Sequence, residues 1–206
     1  MYGLAKNYEA HAQFMHESGH SEIAHAPEDM VIFSKPSTSV IGPDDPIVIP
    51  SYSNDMNFEP EVAVIMGRIA KNVPVEKAMD YVLGFTCVND VTLRDLQGLD
   101  PMWTRAKGFD TSCPLGPWIQ TELDWKDAKI SFTLNGEDVP MASGTTANLI
   151  HGIPEQIAAI SSFSTLLPGD VIMTGTPNAS GHLDPGDEPI VHVAGIGSLR
   201  NVVVRG

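Results

Sequence analysis

The chain has 206 residues, 42% of them apolar, enough to bury one substantial core within the usual size of a single domain. Its 26 acidic residues outnumber 12 lysines and arginines, giving a formal charge of −14; such a surface repels a phosphate backbone or an anionic bilayer, which argues against nucleic acid and membrane as partners. The two cysteines, Cys87 and Cys113, share no CxxC spacing, and neither a signal-peptide core nor an apolar run near the ~20 residues of a membrane span is present, so the expected setting is the reducing cytoplasm.

In chain order, residues 6–17 read as a short helix, and four histidines (His11, His16, His20 and His25) crowd this polar opening, which points to a mobile element. Strands are predicted at 30–35, 46–50, 61–67, 82–90, 130–136, 170–175, 189–195 and 201–206, each a short apolar or alternating run bounded by turn residues. Helices are predicted at 74–82 and 154–163, both opening with proline in the first turn. With no repeats and no long linker, and with 16 prolines and 18 glycines set between short segments, the pattern is that of a β-rich single domain.

The stretch NFEPEVAVIMG (57–67) places Glu59 and Glu61 on one face of a strand, because side chains alternate across a strand. Pro60 between them has no N–H for a ladder, so this end belongs at an edge, bulge or rim. An isolated E-x-E of this kind is usually a solvated strand end. In CVNDVTLRDLQ, a helical turn starting at Asp90 would align Asp90, Arg94 and Gln97; alternatively Asn89 or Asp90 caps that helix, with Thr92 and Asp95 in capping-box spacing. Three carboxylates from two strand ends are a donor set suited to Mg²⁺ or Mn²⁺. Lys107, among small and apolar neighbours, is either a surface lysine or a partly desolvated ammonium ready for an anionic substrate. The loop after VIMTG is either a plain turn or a set of backbone N–H groups able to receive a carboxylate.

Together these stretches, with KNYEAH, FSKPSTSVIGPDDPIVIP, AKGFDTSCPLGPWI, NGEDVPMASGTTANLI and GIGSLRNVV, resemble the fumarylacetoacetate hydrolase family over nearly the whole chain. The resemblance implies an α+β, β-rich roll with few peripheral helices, usually dimeric, forming one catalytic domain over 1–206 with a lid in 1–28. It implies a divalent metal, Mg²⁺ or Mn²⁺, on Glu59, Glu61 and Asp90. It further implies a small 2-oxo acid substrate held by Arg94, Gln97, Lys107 and Thr176 with Lys35 nearby, and His11 on the lid. Relatives that hydrolyse acylpyruvates carry His-x-x-Glu on the lid, whereas Phe14 follows His11 here; the nearest acid downstream, Glu17, lies about 600° further along a helix and is the candidate catalytic acid, beside His11 and Lys107, if the lid is irregular. The loop Asn178, Ala179, Ser180 and Gly181 also departs from the family pattern, and the short strand that often precedes the lid is expected to be missing.

The implied chemistry is cleavage of a C–C bond next to a pyruvyl group, as acylpyruvate hydrolysis or oxaloacetate decarboxylation. Isomerisation of a hydroxymuconate-like diacid is the alternative within the family. A metal-stabilised protein that binds a small acid without turnover is the alternative outside enzyme chemistry.

Overall fold

A computed structural model describes all residues, Met1–Gly206. Its spine is a seven-stranded mixed sheet, in spatial order Val31–Ser34, Tyr2–Ala5, Val171–Met173, Pro60–Met66, Val82–Asn89, Cys113–Gln120 and Val40–Ile41. All seven residues of Pro60–Met66 are buried, which explains a run of apolar residues on both strand faces. Val62, Val64 and Met66 enter the larger core with Phe85, Cys87 and Ile172. Ala63 and Ile65 face the other way, into a smaller cluster with Val88, Val171 and Met173. Truncating the fully buried Ile172 to alanine would cost about 2–5 kcal/mol at such a site.

A second sheet, built on Lys129–Leu134, Pro189–Val193 and Gly197–Arg200, closes over the larger core through Ile130, Phe132, Val191, Val193 and Leu199. Phe132 stacks on Phe58 of the strand Met56–Phe58, ring centroids 4.0 Å apart. The helix Ile153–Phe163 flanks the sheets and buries Ile153, Ile157 and Ile160, spaced i, i+4, i+7. No helix is long and apolar enough to cross a membrane. The β-rich roll with few peripheral helices is therefore observed.

Several elements differ from the sequence expectation, and four of them frame the sheets and the site. Residues 75–81 form a 3₁₀ helix, Val75–Tyr81, in which Val75, Ala78 and Tyr81 fall in line at a spacing of three and only Ala78 is buried. The strand expected to be missing before the lid is present as Tyr2–Ala5, parallel to Val171–Met173 and antiparallel to Val31–Ser34. Its four residues are too few to show a period, and Gly3 is required there because an added Cβ would meet the Phe33 ring at 2.3 Å. Cys113–Gln120 was hidden by Pro114 and Pro117, and its pairing with Val82–Asn89 shifts register between Phe85 and Cys87. Gly197–Arg200 was hidden by its brevity and its opening glycine.

Candidate active site

The floor of the site is where two antiparallel strands change from apolar to acidic at the same end. Glu61 pairs with Val88 and Ala63 with Thr86, so Ile65, Ala63 and Glu61 share a face with Thr86 and Val88, and Asp90 extends that face beyond Asn89. Backbone hydrogen bonds lock the turn: Asp90 N–H donates to Glu59 O (2.9 Å), and Glu59 N–H donates to the Asn89 side-chain oxygen (2.9 Å). Asn89, which sequence reasoning offered only as a helix cap, thus fixes Glu59. Oxygens of Glu59, Glu61 and Asp90, all buried, lie within 4.8 Å of one another, close enough to share one metal ion.

Each carboxylate has a different surrounding. Glu59 accepts from Arg94 Nη2 (2.7 Å) and from Lys107 Nζ (2.7 Å). Burial alone would raise its pKa, but Lys107, Arg94 and His11 outweigh that and hold it well below the usual carboxylate range. Asp90 takes Lys107 Nζ on Oδ2 (2.5 Å) and faces Lys35 Nζ from Oδ1 at 2.8 Å. Glu61 touches no cation: Gly175 N–H donates to it at 2.7 Å and Thr176 Oγ1 at 3.2 Å. Burial first, then the charge of Asp90, push the Glu61 carboxyl well above its ordinary value. A buried acid with neutral donors only, beside two further carboxylates, is a site that gains from a cation, so the donor set fits a divalent metal.

The expected turn starting at Asp90 is not helical. Thr92–Leu93 pairs with Met56–Phe58, and the helix Arg94–Gln97 begins four residues later than expected. The capping box is absent too: Thr92 Oγ1 donates to Asp90 O, and Asp95 receives Ser53 and Asn54. Arg94 and Gln97 still share one side, since Arg94 Nη1 donates to Gln97 Oε1 (2.5 Å). A lone helical turn held by tertiary contacts satisfies the same i, i+3 spacing.

Lys107 is 3% exposed, and besides its two carboxylates it lies 4.8 Å from the centre of the Phe33 ring. Burial would lower its pKa, but Asp90 and Glu59 outweigh this and raise it, so the ammonium stays charged. The loop after Met173 does receive a carboxylate on its backbone, but that of Glu61. Gly175, at φ +104, is confined to glycine because a Cβ would approach Asn7 at 3.0 Å and Leu4 O at 3.2 Å.

Above this floor, the helix Glu9–Glu17, within the segment expected to form a lid, buries His11, Ala12 and Met15. His11 Nδ1 lies 2.5 Å from Asn178 O; a carbonyl only accepts, so Nδ1 carries the proton and the neutral ring keeps a lone pair on Nε2. Burial is the main reason its pKa lies below the ordinary histidine value, which favours that neutral form. The Asn178–Gly181 departure acquires a role here: Asn178 holds His11, and Ser180 Oγ accepts from Arg94 Nη2 (2.8 Å). Nothing in the composition of the loop signals these contacts, because one of them uses only its backbone.

A cavity of about 270 Å³ joins floor and lid. Of the residues named from the sequence, it brings together His11, Glu59, Glu61 and Asp90, and likewise Arg94, Gln97, Lys107 and Thr176. Two stand elsewhere. Lys35 is sealed behind Asp90, 2% exposed, its ammonium donating to Val91 O (3.1 Å) and Ser112 O (2.6 Å), so it braces the floor from outside the cavity. Glu17 is exposed, accepts from Gln13 (2.7 Å), and with Phe14 lines a depression on the outer side of the lid. Lys6, Gly19 and His20 at the cavity mouth were not singled out as site residues from the sequence.

Fold and site together define a small-acid enzyme scaffold of one type. The model of the fumarylacetoacetate hydrolase C-terminal domain matches residues 1–204, and the chain belongs to that family. Among solved structures, a 5-carboxymethyl-2-hydroxymuconate delta-isomerase from Mycobacterium smegmatis is 44% identical, with a TM-score of 0.89, covering 100% of this chain and 78% of that one. A fumarylpyruvate hydrolase from Pseudomonas aeruginosa, solved with Mn²⁺ and pyruvate, is 28% identical with a TM-score of 0.87, covering 100% and 89%. A mitochondrial oxaloacetate tautomerase of Rattus norvegicus is 37% identical over 209 residues, 96% of this chain and 64% of that protein. Members of the family are thus hydrolases, isomerases and tautomerases.

Proposed function

We propose that this chain is a divalent-metal-dependent enzyme, with Mg²⁺ or Mn²⁺ on Glu59, Glu61 and Asp90, that moves a proton next to the keto group of a small 2-oxo acid, as tautomerisation or double-bond isomerisation. The observation that carries the reading is the content of the cavity: all three of its carboxylates are committed to the floor, and the buried base facing the substrate space is the neutral His11. When bound, the cation supplies Lewis acidity to the carboxylate and keto oxygens of the substrate, worth several kcal/mol.

The residues of the chain do the rest. His11 Nε2 accepts a proton from C3; the C–H electron pair becomes the C2–C3 double bond as the keto pair moves onto oxygen. The Lys107 ammonium, held charged by Glu59 and Asp90, offsets the negative charge that grows on that oxygen. Arg94, Gln97 and Thr176 orient the substrate carboxylate from the cavity wall. His11 then returns its proton to oxygen, giving the enol, or to a conjugated carbon, giving the shifted double bond. The closed lid excludes water from these transfers.

Cleavage next to the pyruvyl group is the second reading, favoured by the fact that the same electron sink serves it. Loss of CO₂ from a 3-carboxy substrate needs no base, whereas acylpyruvate hydrolysis needs an activated water, and His11 is then the group to activate it. Simple binding without turnover leaves the buried, neutral His11 in the cavity without a use. The reading includes a homodimer, for which exposed Leu83, Trp118 and Ile119 on two paired strands offer apolar surface; sedimentation tests it. A panel of oxaloacetate, acetylpyruvate and a hydroxymuconate-type diacid, with Mg²⁺ or Mn²⁺, tests the activity. Enol formation, double-bond shift, pyruvate and CO₂ are followed separately. Proton exchange at C3 without net cleavage is expected, and cleavage faster than exchange would overturn the order of the two readings.

A further inference from the structure

Three cations line the cavity, and two are spoken for: Arg94 pairs with Glu59, and Lys107 with Glu59 and Asp90. The third, Lys6, is in no ion pair. Its ammonium has one partner, the Ser21 hydroxyl at 2.6 Å, which leaves two of its three N–H donors for something else. Partial burial lowers its pKa, so it gains from an anion brought alongside. The backbone of Lys6 is left-handed, φ +54, a conformation that glycine or asparagine would adopt at less cost. His20 joins it at the mouth, carried on the turn that ends the lid helix at Gly19, φ +77.

The sheet sets the distance. Gly3 pairs with Met173, and Met173 with Ala63, so two residues on, the same rows bring Ala5 and Gly175 level with Glu61. Lys6 therefore begins two strand spacings from Glu61, roughly 10 Å along the sheet. Three bonds of an extended carbon chain span about 3.8 Å, so the two carboxyl carbons of a four-carbon diacid are that far apart, and those of a seven-carbon diacid about twice as far. The longer molecule reaches from floor to mouth; the shorter one ends beside the floor.

We propose that Lys6, with His20 beside it, is a second anion-binding point that receives the far carboxylate of a 2-oxo diacid of six or seven carbons, making chain length and a terminal charge the basis of substrate choice. This rests on the proposed reading of the floor as the site of the 2-oxo acid end. On a protein of net charge −14, a cation without an acidic partner at the entrance also attracts a dianion that the rest of the surface repels.

The test is calorimetric binding to the Mg²⁺-loaded protein of two series, 2-oxo diacids of four to seven carbons and the 2-oxo monoacids of equal length. The diacid is expected to exceed its matched monoacid by tenfold or more at six and seven carbons and by little at four. Lys6→Met should collapse that ratio to about one while leaving monoacid affinity unchanged, and Lys6→Arg should keep it. Lys6→Asn, relaxed in the left-handed backbone, repeats the loss in a variant that folds without strain. A preference that is absent in the unaltered protein, or that survives in Lys6→Asn, overturns the assignment of Lys6. If no 2-oxo acid of either series binds with Mg²⁺ present, the reading of the floor has failed, and the Lys6 assignment with it.

Discussion

The floor of the site and its cover are built in opposite ways. Glu59, Glu61 and Asp90 stand on strand ends inside a sheet, with Pro60–Met66 buried throughout and each carboxylate fixed by two or more protein donors or cations. The cover, from Lys6 to His25, is anchored at its start by buried Asn7 and Tyr8, and beyond them it is held to the rest by the burial of three helix residues and by scattered polar contacts such as His11 with Asn178. A buried strand end is over-determined, and one changed side chain there leaves charges without partners. A lid held by a few bonds can be altered with the floor intact. Floor changes should therefore abolish function, and cover changes should redirect it.

The largest effect is expected at the residue that most needs a cation. Glu61→Gln keeps shape and loses charge, and it should weaken Mn²⁺ binding at least a hundredfold and remove turnover; unchanged Mn²⁺ uptake by calorimetry would show that the metal sits elsewhere. Lys107→Met comes next: binding of an oxalate-type enolate mimic should fall tenfold or more, with metal affinity not weakened, since an ammonium no longer shares Glu59 and Asp90. An unchanged affinity for oxalate would separate Lys107 from the substrate and leave it a purely structural member of the floor.

His11→Gln probes the joint between the two regions. Removing the base should lower proton exchange at C3 by about 10²–10⁴ and spare metal binding. The pH dependence has a definite sign. The folded-state pKa of His11 is depressed, mainly by burial, so its contribution to stability is complete above the ordinary histidine value of about 6.5 and is lost as pH falls below it, when the unfolded chain takes up a proton that the folded one resists. The difference in Tm between pH 7.5 and pH 5.5 should be larger for the unaltered protein than for His11→Gln. Equal differences would mean that the imidazole is not buried in solution.

How much of this was legible follows the same division. Alternation along 59–65 puts Glu59 and Glu61 on one face, because period two is a direct consequence of the strand backbone, and the strand reading of 82–90 puts Asp90 at a second strand end; their union as one metal site is what the family resemblance implies. Arg94, Gln97 and Lys107 are candidates from their own segments, where a plain cap or a surface lysine is an equal reading, and resemblance to the family supplies their substrate role together with Thr176. What stayed illegible depends on long-range contact. Lys35 reads as a residue near the substrate, yet its role is to close the floor behind Asp90 through Val91 and Ser112, 56 and 77 residues away in sequence. Tyr2–Ala5 was too short to carry a period, and Asn178 acts through a carbonyl that every residue has.

The smallest effects are expected on the outer side of the lid, and they decide whether the cover sets the reaction. Phe14 follows His11 by three residues, but its ring leans on the outer face, stacked 6.4 Å from the His11 ring and bordering Met141, Asn178 and Ala179. A glutamate placed there would project into the same outer depression, away from the floor. Phe14→Glu should therefore not raise acetylpyruvate cleavage, and should lower it by no more than about twofold to tenfold, the range of a lost stacking contact of about 0.5–1.5 kcal/mol. Glu17→Gln, whose carboxylate meets only Gln13 at the surface, should change neither cleavage nor C3 proton exchange. Steady-state kinetics on both substrates make the comparison. If Phe14→Glu raises acetylpyruvate cleavage tenfold or more, or Glu17→Gln removes it, the lid must rotate during turnover to carry its outer face over the floor. The division into a fixed floor and an adjustable cover would then extend to the motion of the lid as well as to its composition.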